Sequence, residues 1–245
     1  MTIKKRSILF VLFGLTLVGL IAFKVNRTSV EEKILSYTVD PISQNLKFYW
    51  RDENANVFGS INNLRTWLEN KQETLVFAMN GGMYKPDNSP QGLFIQQHVA
   101  LSPLDTSSGK GNFYLKPNGV FYITKEKLGV ICKTTDFVNN SKIEYATQSG
   151  PMLVINGAIH SAFKEGSANL NIRNGVGILP DKKIIFAMSK KEINFYDFAK
   201  YFKDLGCKNA LYLDGYVSRT YLPQKNWKQL DGDFGVIIAV TKGSL

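Results

Sequence analysis

The amino-acid sequence predicts a single α+β domain, mostly β-strand with a few flanking helices, preceded by an N-terminal membrane helix. Three observations carry that reading. Beyond residue 30 the chain is a succession of short apolar runs punctuated by Gly, Pro, Asn and Asp turns, the pattern of strands rather than helices. Only two stretches place apolar residues at helical spacing. No repeat, low-complexity linker or composition break divides residues 28–245, a length that one β-rich domain can fill.

Residues 1–27 read as an address rather than as part of the fold. Lys4, Lys5 and Arg6 precede an uncharged, almost wholly apolar run from Ile8 to Phe23, and Lys24 follows. As a helix at ~1.5 Å per residue this run spans about 24 Å, slightly short of the ~30 Å hydrocarbon core. Signal cleavage needs two small residues flanking a middle one. Ala22 has Leu20 two residues before it and Gly19 has Leu17, which favours an uncleaved anchor over a removed signal. Either way the positive end stays in the cytoplasm. Residues 28–245 then work in the periplasm or another extracytoplasmic space, tethered through residues 8–23.

Along the domain, Val57–Ser60 leads into a helix at Ile61–Asn70. Strands are expected at Leu75–Met79, Gly92–Gln97, Asn112–Leu115, Val120–Thr124 and Leu128–Lys133, then at Ile143–Gln148, Met152–Ile155, Gly175–Leu179, Ile184–Ser189, Ala210–Leu213 and Phe234–Thr241. Asn156-Gly157 joins Met152–Ile155 to Ala158–His160 as a type I′ hairpin. Between Ser189 and Ala210, Asn194 caps a helix whose Phe195, Phe198, Ala199, Phe202 and Leu205 share one face, and Gly206 ends it.

Composition removes whole classes of chemistry. At 44% apolar and 20% charged residues, the chain is not disordered. Two histidines, His98 and His160, cannot form a three-histidine zinc site, and two cysteines cannot hold a four-cysteine zinc or an iron–sulfur centre. In an oxidising compartment Cys132 and Cys207 suit either one disulfide or two separate buried thiols. Half of the net charge of +10 comes from five basic residues in the first 27, and the rest is dispersed, so no nucleic-acid footprint emerges. G-x-S-x-G, G-x-G-x-x-G and H-E-x-x-H are all absent. Ser107-Ser108-Gly109-Lys110-Gly111 lacks the first P-loop Gly and the Ser/Thr after Lys.

Four polar clusters remain, each at the end of a strand-like run. They are Asn80-Gly81-Gly82-Met83-Tyr84, Gln148-Ser149-Gly150-Pro151, Asn171-Ile172-Arg173-Asn174-Gly175-Val176-Gly177, and Tyr212-Leu213-Asp214-Gly215-Tyr216-Val217-Ser218-Arg219. Paired glycines permit φ > 0 and close backbone approach to a ligand, and Asn80 both donates and accepts. Arg173 is a permanently charged fork matched to phosphate, and Asp214 is a carboxylate able to act as nucleophile or base. A structural Arg173–Asp214 ion pair accounts for the same two residues without catalysis.

In this order the clusters NGGMY…GLFI, QSGPMLVINGAIH, IRNGVGI and LYLDGYVSRTYLP resemble the phosphodiester glycosidase family over residues 70–240. That family includes the lysosomal mannose-6-phosphate uncovering enzyme, and the likeness is to its bacterial, predicted periplasmic branch. The resemblance implies strands curled into a cone-like core with the four clusters in one cleft. It also implies hydrolysis of the bond between a sugar's anomeric carbon and a phosphodiester. By position it carries Asp214, Arg173 and Asn80 as catalytic, with Gly81, Gly82, Ser149, Gly150, Pro151, Gly215 and Ser218 binding substrate, and neither metal nor cofactor. Where relatives of the uncovering enzyme have Leu-Asp-Gly-Gly-Gly-Ser, this chain has Leu213-Asp214-Gly215-Tyr216-Val217-Ser218, so the backbone meets its ligand differently.

The residues suit that chemistry. Ordinary glycosidases need two carboxylates, one of them to protonate a poor leaving group. A phosphate monoester departs readily, so one carboxylate and one cation suffice, with Arg173 stabilising the leaving phosphate. Two other classes compete. A non-catalytic envelope protein binding anionic glycans would keep Arg173 and the glycine turns but have no use for Asp214. A metal-dependent phosphodiesterase cutting P–O would need clustered oxygen ligands, toward which Asp231-Gly232-Asp233 contributes.

Overall fold

A computed structural model describes residues 33–214 and 217–243. It divides into one unit ending at Leu35 and a second beginning at Ser36, and the second carries the polar clusters. The expected anchor, residues 8–23, and the boundary at residues 27 and 28 lie outside the described residues. Among those described, no helix is long and apolar enough to cross a membrane.

In chain order the elements are β1 (Ile34–Val39), β2 (Asn45–Tyr49), α1 (Ile61–Asn70), β3 (Glu73–Asn80), β4 (Phe94–Gln96), β5 (Val99–Ser102), β6 (Gly119–Thr124), β7 (Gly129–Lys133) and β8 (Ile143–Ser149). There follow β9 (Met152–Ile155), β10 (Ala158–Ile159), β11 (Asn174–Ile178), β12 (Ile184–Ser189), α2 (Phe195–Asp204), β13 (Ala210–Asp214), β14 (Thr220–Leu222), β15 (Trp227–Lys228) and β16 (Ile237–Gly243). The strands form three sheets, ordered β1-β12-β11-β13-β9-β10, β15-β14-β3-β16-β2 and β5-β4-β8-β6-β7, and none closes on itself. The fold is mostly β with few helices, as the alternation of short apolar runs and turns requires.

The core sits where the three sheets face one another. Phe186 of β12 lies 5.3 Å from Phe77 of β3 and 5.9 Å from Phe121 of β6, and Phe121 in turn lies 5.3 Å from Phe48 of β2. Each ring is fully buried, and burial of a Phe side chain contributes about 1.5–3 kcal/mol. The helices cover the outer faces. On α1, Ile61, Leu64 and Leu68 pack with Leu75, Ala78, Ile237 and Ala239 of the second sheet. On α2, Phe198 and Phe202 lie over Gly175 and Gly177 of β11: a Cβ on Gly177 would stand 2.7 Å from the Phe202 ring, and one on Gly175 2.9 Å from Leu211 O and 3.3 Å from the Phe198 ring.

Local chemistry sets the element ends. Ser60 Oγ accepts from the Asn63 amide to start α1, and Asn194 Oδ1 accepts from the Asp197 amide to start α2. Gly206, at φ +79°, ends α2 in the left-handed region that favours glycine. Asn156 and Gly157 both have positive φ, as the β9–β10 hairpin needs.

Two expectations need correction. Residues Asn112–Tyr114 form a single 3-10 turn rather than a strand, closed by Tyr114 N donating to Gly111 O and anchored by buried Phe113. The last strand begins at Ile237, not Phe234, because Phe234 N donates to Gly59 O and leaves the ladder. Cys132 and Cys207 are both free thiols, and burial pushes them up to about 11 and about 12, which makes them poor nucleophiles.

Candidate active site

Three of the four clusters converge through one hydrogen-bonded knot at the end of β3, the start of β11 and the end of β13. Asn174 is paired with Asp214 across the β11–β13 ladder. Its side chain reaches into the inter-sheet space. There Nδ2 donates to Asn80 Oδ1 at 2.9 Å and to Asn80 O at 3.0 Å, while Oδ1 accepts from Asp214 N at 2.7 Å. Asn80 Oδ1 also accepts from Arg219 N at 2.8 Å, and Asn80 Nδ2 points at Asp214 Oδ2 at 3.4 Å. Both amides are buried, and Asp214 is only 7% exposed. A buried amide has few partners to choose from, so this knot fixes where the carboxylate points.

A β-bulge aims that carboxylate. Gly175 pairs with Tyr212 but Asn174 pairs with Asp214, so Leu213 is an extra residue in β13. Leu213 O accepts from Ser149 Oγ at 2.7 Å, which ties the bulge to the end of β8. Ser218 Oγ donates to Asp214 O at 2.8 Å and lies 3.4 Å from Ile172 O, so it ties the end of β13 to the segment before Arg173. Gly215 lies outside the described residues. Two phenols feel the Asp214 charge. Burial first, then Asp214 and Asp233, push Tyr84 up to about 12. Burial and Asp214 also raise Tyr212, against the pull of Arg173.

The Arg173 side chain bonds to groups other than Asn80 and Asn174. Successive strand residues face opposite ways, and Arg173 points to the α2 side with Gly175 and Gly177 while Asn174 points to Asn80. The guanidinium is fully buried. Its Nε donates to Ile193 O at 2.8 Å, Nη2 to Asn169 O at 2.9 Å and Asn169 Oδ1 at 3.0 Å, and Nη1 to Tyr212 Oη at 3.3 Å. Phe195 covers it, with its ring centre 3.6 Å from the guanidinium carbon, and Phe163 and His160 continue the stack at 4.8 Å per step. Burial lowers the guanidinium below its ordinary value, and the Tyr212 contact offsets part of that.

The glycines also act differently from expectation. Gly81, Gly82 and Gly150 are absent from the positive-φ positions. Their missing side chains admit protein. A Cβ on Gly82 would stand 2.4 Å from Gln148 O and Thr147 Oγ1, one on Gly81 2.6 Å from Val236, and one on Gly150 2.6 Å from Asn118. The Gly81 amide donates to Val236 O at 2.7 Å, so that donor is already used. Pro151 O accepts from Tyr212 N at 3.1 Å, and Gln148 Oε1 accepts from Leu93 N and Asp105 N. The second cluster thus braces β13 from the side. Asp231 and Asp233 bind Arg219 and Asn88 respectively, and among the described residues no three His, Cys, Asp or Glu side chains gather where a metal ion would need them.

The sequence places Asn174, Tyr212 and Tyr84 in the polar clusters but assigns none of them a role at the site. The signal for Asn174 was its place beside Arg173. In a G-x-G strand lying under aromatic residues of a helix, the residue in phase with the glycines goes to the helix and its neighbour goes to the core.

With this geometry in view, known proteins give consistent answers. Over an alignment of 216 positions that covers 86% of this chain and 84% of the other, the chain is 37% identical to the uncharacterised protein YigE of Escherichia coli strain K12. The fold matches the catalytic domain of zebrafish N-acetylglucosamine-1-phosphodiester alpha-N-acetylglucosaminidase, auto-inhibited by its pro-peptide, with a TM-score of 0.57 at 15% identity, over 85% of this chain and 82% of that one. A hypothetical protein from Synechocystis matches with a TM-score of 0.53 at 14% identity, over 85% of this chain and 59% of that one. A model of the phosphodiester glycosidase family matches residues 73–237, from the strand that carries Asn80 to the first residue of β16. The chain belongs to the phosphodiester glycosidase family.

Proposed function

We propose that the protein hydrolyses the glycosidic C–O bond of a sugar-1-phosphodiester outside the cytoplasm, held there by residues 8–23, with Asp214 as the catalytic carboxylate. Family membership supports hydrolysis at a sugar phosphodiester. The observation that carries the residue assignment is a nearly buried carboxylate at a strand end, aimed by a bulge and faced by an amide donor. Asp214 attacks the anomeric carbon directly or takes the proton of the water that does. The C–O bond breaks, a phosphate monoester leaves, and water supplies the new sugar hydroxyl. The departing oxygen keeps the bonding electrons as phosphate charge, so it needs little protonation. Asn80 and Asn174 hold Asp214 in position. Arg173, enclosed under Phe195, supplies a fixed positive charge behind Tyr212 and steadies the end of β13.

A hydrolysis screen over sugar-1-phosphodiesters in isotope-labelled water tests this reading. The label should enter the sugar, and Asp214→Asn should lower turnover by at least about 100-fold while the fold stays intact. Label in the phosphate would establish P–O cleavage instead. Binding of anionic glycans with no turnover of any substrate would establish the non-catalytic reading.

A further inference from the structure

The charge of the departing phosphate needs a donor near Asp214, and the more conspicuous candidates are engaged. Arg173 is enclosed under Phe195, Arg219 Nε donates to Asp231 Oδ2 at 2.8 Å, and the Gly81 amide donates to Val236 O. Tyr84 is different. It is half-buried, and among the described residues its hydroxyl has no hydrogen-bond partner.

Everything else about Tyr84 is tied down. Met83 to Gln91 fold back as a small hairpin, in which Gln91 N donates to Met83 O and Lys85 N to Ser89 O, both at 2.8 Å, and Tyr84 bridges to Pro90. Asn88 fastens its tip, donating through Nδ2 to Asp233 Oδ1 at 2.6 Å and accepting at its carbonyl from Trp50 Nε1 at 2.9 Å. The base of the Tyr84 side chain lies against Gly235, where a Cβ would stand 2.9 Å from Tyr84 Cβ. Gly235 is two residues before Ile237, which pairs with Asn80, and the Asn80 amide faces the Asp214 carboxylate. The Tyr84 ring packs on the same apolar cluster as Val217, three residues beyond Asp214. Backbone and carbon contacts thus hold the ring at the Asp214 end of the second sheet and leave the hydroxyl for a ligand.

Burial, then Asp214 and Asp233, push this phenol up to about 12, so it stays protonated and donates without a charge of its own. It feels the Asp214 charge yet is not bonded to that carboxylate. Displacement at carbon requires such a separation. The attacking and departing oxygens lie on opposite sides of the anomeric carbon, about 5 Å apart, so a donor to the phosphate belongs beyond hydrogen-bond reach of the attacking group.

We propose that Tyr84 is a catalytic residue whose hydroxyl donates to a non-bridging oxygen of the departing phosphate, in a bond that tightens as the anomeric C–O bond breaks. The phosphate keeps the electrons of the broken bond and the phenol keeps its proton, because a phosphate monoester is a far weaker base than a phenolate. A fixed donor aimed at developing charge lowers the barrier without reorganising. The proposal rests on Asp214 being the carboxylate that acts at the anomeric carbon.

Tyr84→Phe tests it by removing a hydroxyl that holds nothing in the free protein. Its melting temperature should match wild type, and an early melt would assign the hydroxyl to the fold and overturn the proposal. On the sugar-1-phosphodiester found in the hydrolysis screen, kcat should fall about 10- to 100-fold, with a smaller change in KM. Sulfur in place of the contacted phosphate oxygen, tested as separate diastereomers, should slow wild type in one of them and leave Tyr84→Phe indifferent to the exchange. In calorimetric titration, glycerol 3-phosphate, a phosphate monoester like the departing product, should bind Tyr84→Phe about tenfold more weakly than wild type. Unchanged kcat, an equal sulfur effect in both proteins, or equal affinity for glycerol 3-phosphate would overturn the proposal. Asp214→Asn separates it from the catalytic reading. If Asp214→Asn is inactive while Tyr84→Phe keeps full turnover, the carboxylate stands and the phenol falls. If Asp214→Asn hydrolyses normally while Tyr84→Phe loses glycerol 3-phosphate, the contact with phosphate stands and the Asp214 assignment falls.

Discussion

Arg173 and Asn174 are consecutive residues, yet they belong to different environments. Arg173 lies under α2, shut in by Phe195 and bonded to two backbone carbonyls. Asn174 lies on the opposite face of β11, between Asn80 and Asp214. The first region spends its polar atoms on holding an insertion of charge inside the fold. The second spends them on aiming one carboxylate. Adjacency in sequence puts two side chains on opposite sides of a strand, so a motif such as Ile172-Arg173-Asn174-Gly175 is two half-motifs read by two different neighbourhoods.

That contrast breaks most visibly at Arg173. Arg173→Ala would empty the space under Phe195 and leave the buried Tyr212 hydroxyl without this partner, and the expected loss of stability is about 2–5 kcal/mol. Arg173→Lys, which keeps one charge without the fork, should fall between. Denaturant unfolding measures both. A stable Arg173→Ala protein would mean that the guanidinium is open to ligands, and the division between the two regions would fail. On the other face, Asn174→Ala leaves Asp214 N and Asn80 O without their partner, at a cost of about 1–3 kcal/mol. Turnover should fall further than stability alone explains, because the carboxylate loses its aim. Equal kcat in folded Asn174→Ala and wild type would remove the knot from the mechanism.

Gly82→Ala probes the seam where β3 leaves the knot. Its new methyl meets Gln148 O and Thr147 Oγ1, neither a flexible tip, so about 1–3 kcal/mol should be lost on melting. An unperturbed melt would return that glycine to a ligand-binding role. The smallest effect concerns pH and falls on the Arg173 side. His160 Nδ1 accepts from Ala162 N and Nε2 lies 3.1 Å from Lys116 O, the pattern of a neutral ring, and burial lowers it from the ordinary value of 6.5. The unfolded chain therefore takes up its proton first as pH falls. Stability should be full above about pH 6.5 and decline below it until the folded ring also titrates. Melting temperatures across that range should flatten in His160→Gln, and an identical slope in both proteins would place the sensitivity elsewhere.

What the sequence disclosed follows the range of the interactions concerned. Helix Ile61–Asn70 and strands Met152–Ile155 and Ile184–Ser189 have the expected bounds, because caps, turns and periodicity act over a few residues. Strands β1, β2, β5, β14 and β15 escaped notice, and β2 and β14 show why. Their runs are short and partly polar, and their partners lie far along the chain, Tyr49 opposite Ile237 and Thr220 opposite Met79. At the site, Asn80 and Asp214 were visible as polar residues ending apolar runs. Asn174 was hidden beside a more conspicuous arginine, and the bulge at Leu213 depends on a register that no local pattern encodes. A glycine looks the same in sequence whether it admits a ligand or a neighbouring strand, and only the fold shows that Gly81, Gly82 and Gly150 stand against protein atoms.

The place of β16 in its sheet has a consequence for how the protein is made. Ile237–Gly243 pairs with β2 on one edge and β3 on the other, although both partners emerge from the ribosome long before it. Without β16, the facing edges of β2 and β3 would each lack a row of backbone partners. An open edge of that kind accepts a strand of suitable pattern, including the same segment of another copy.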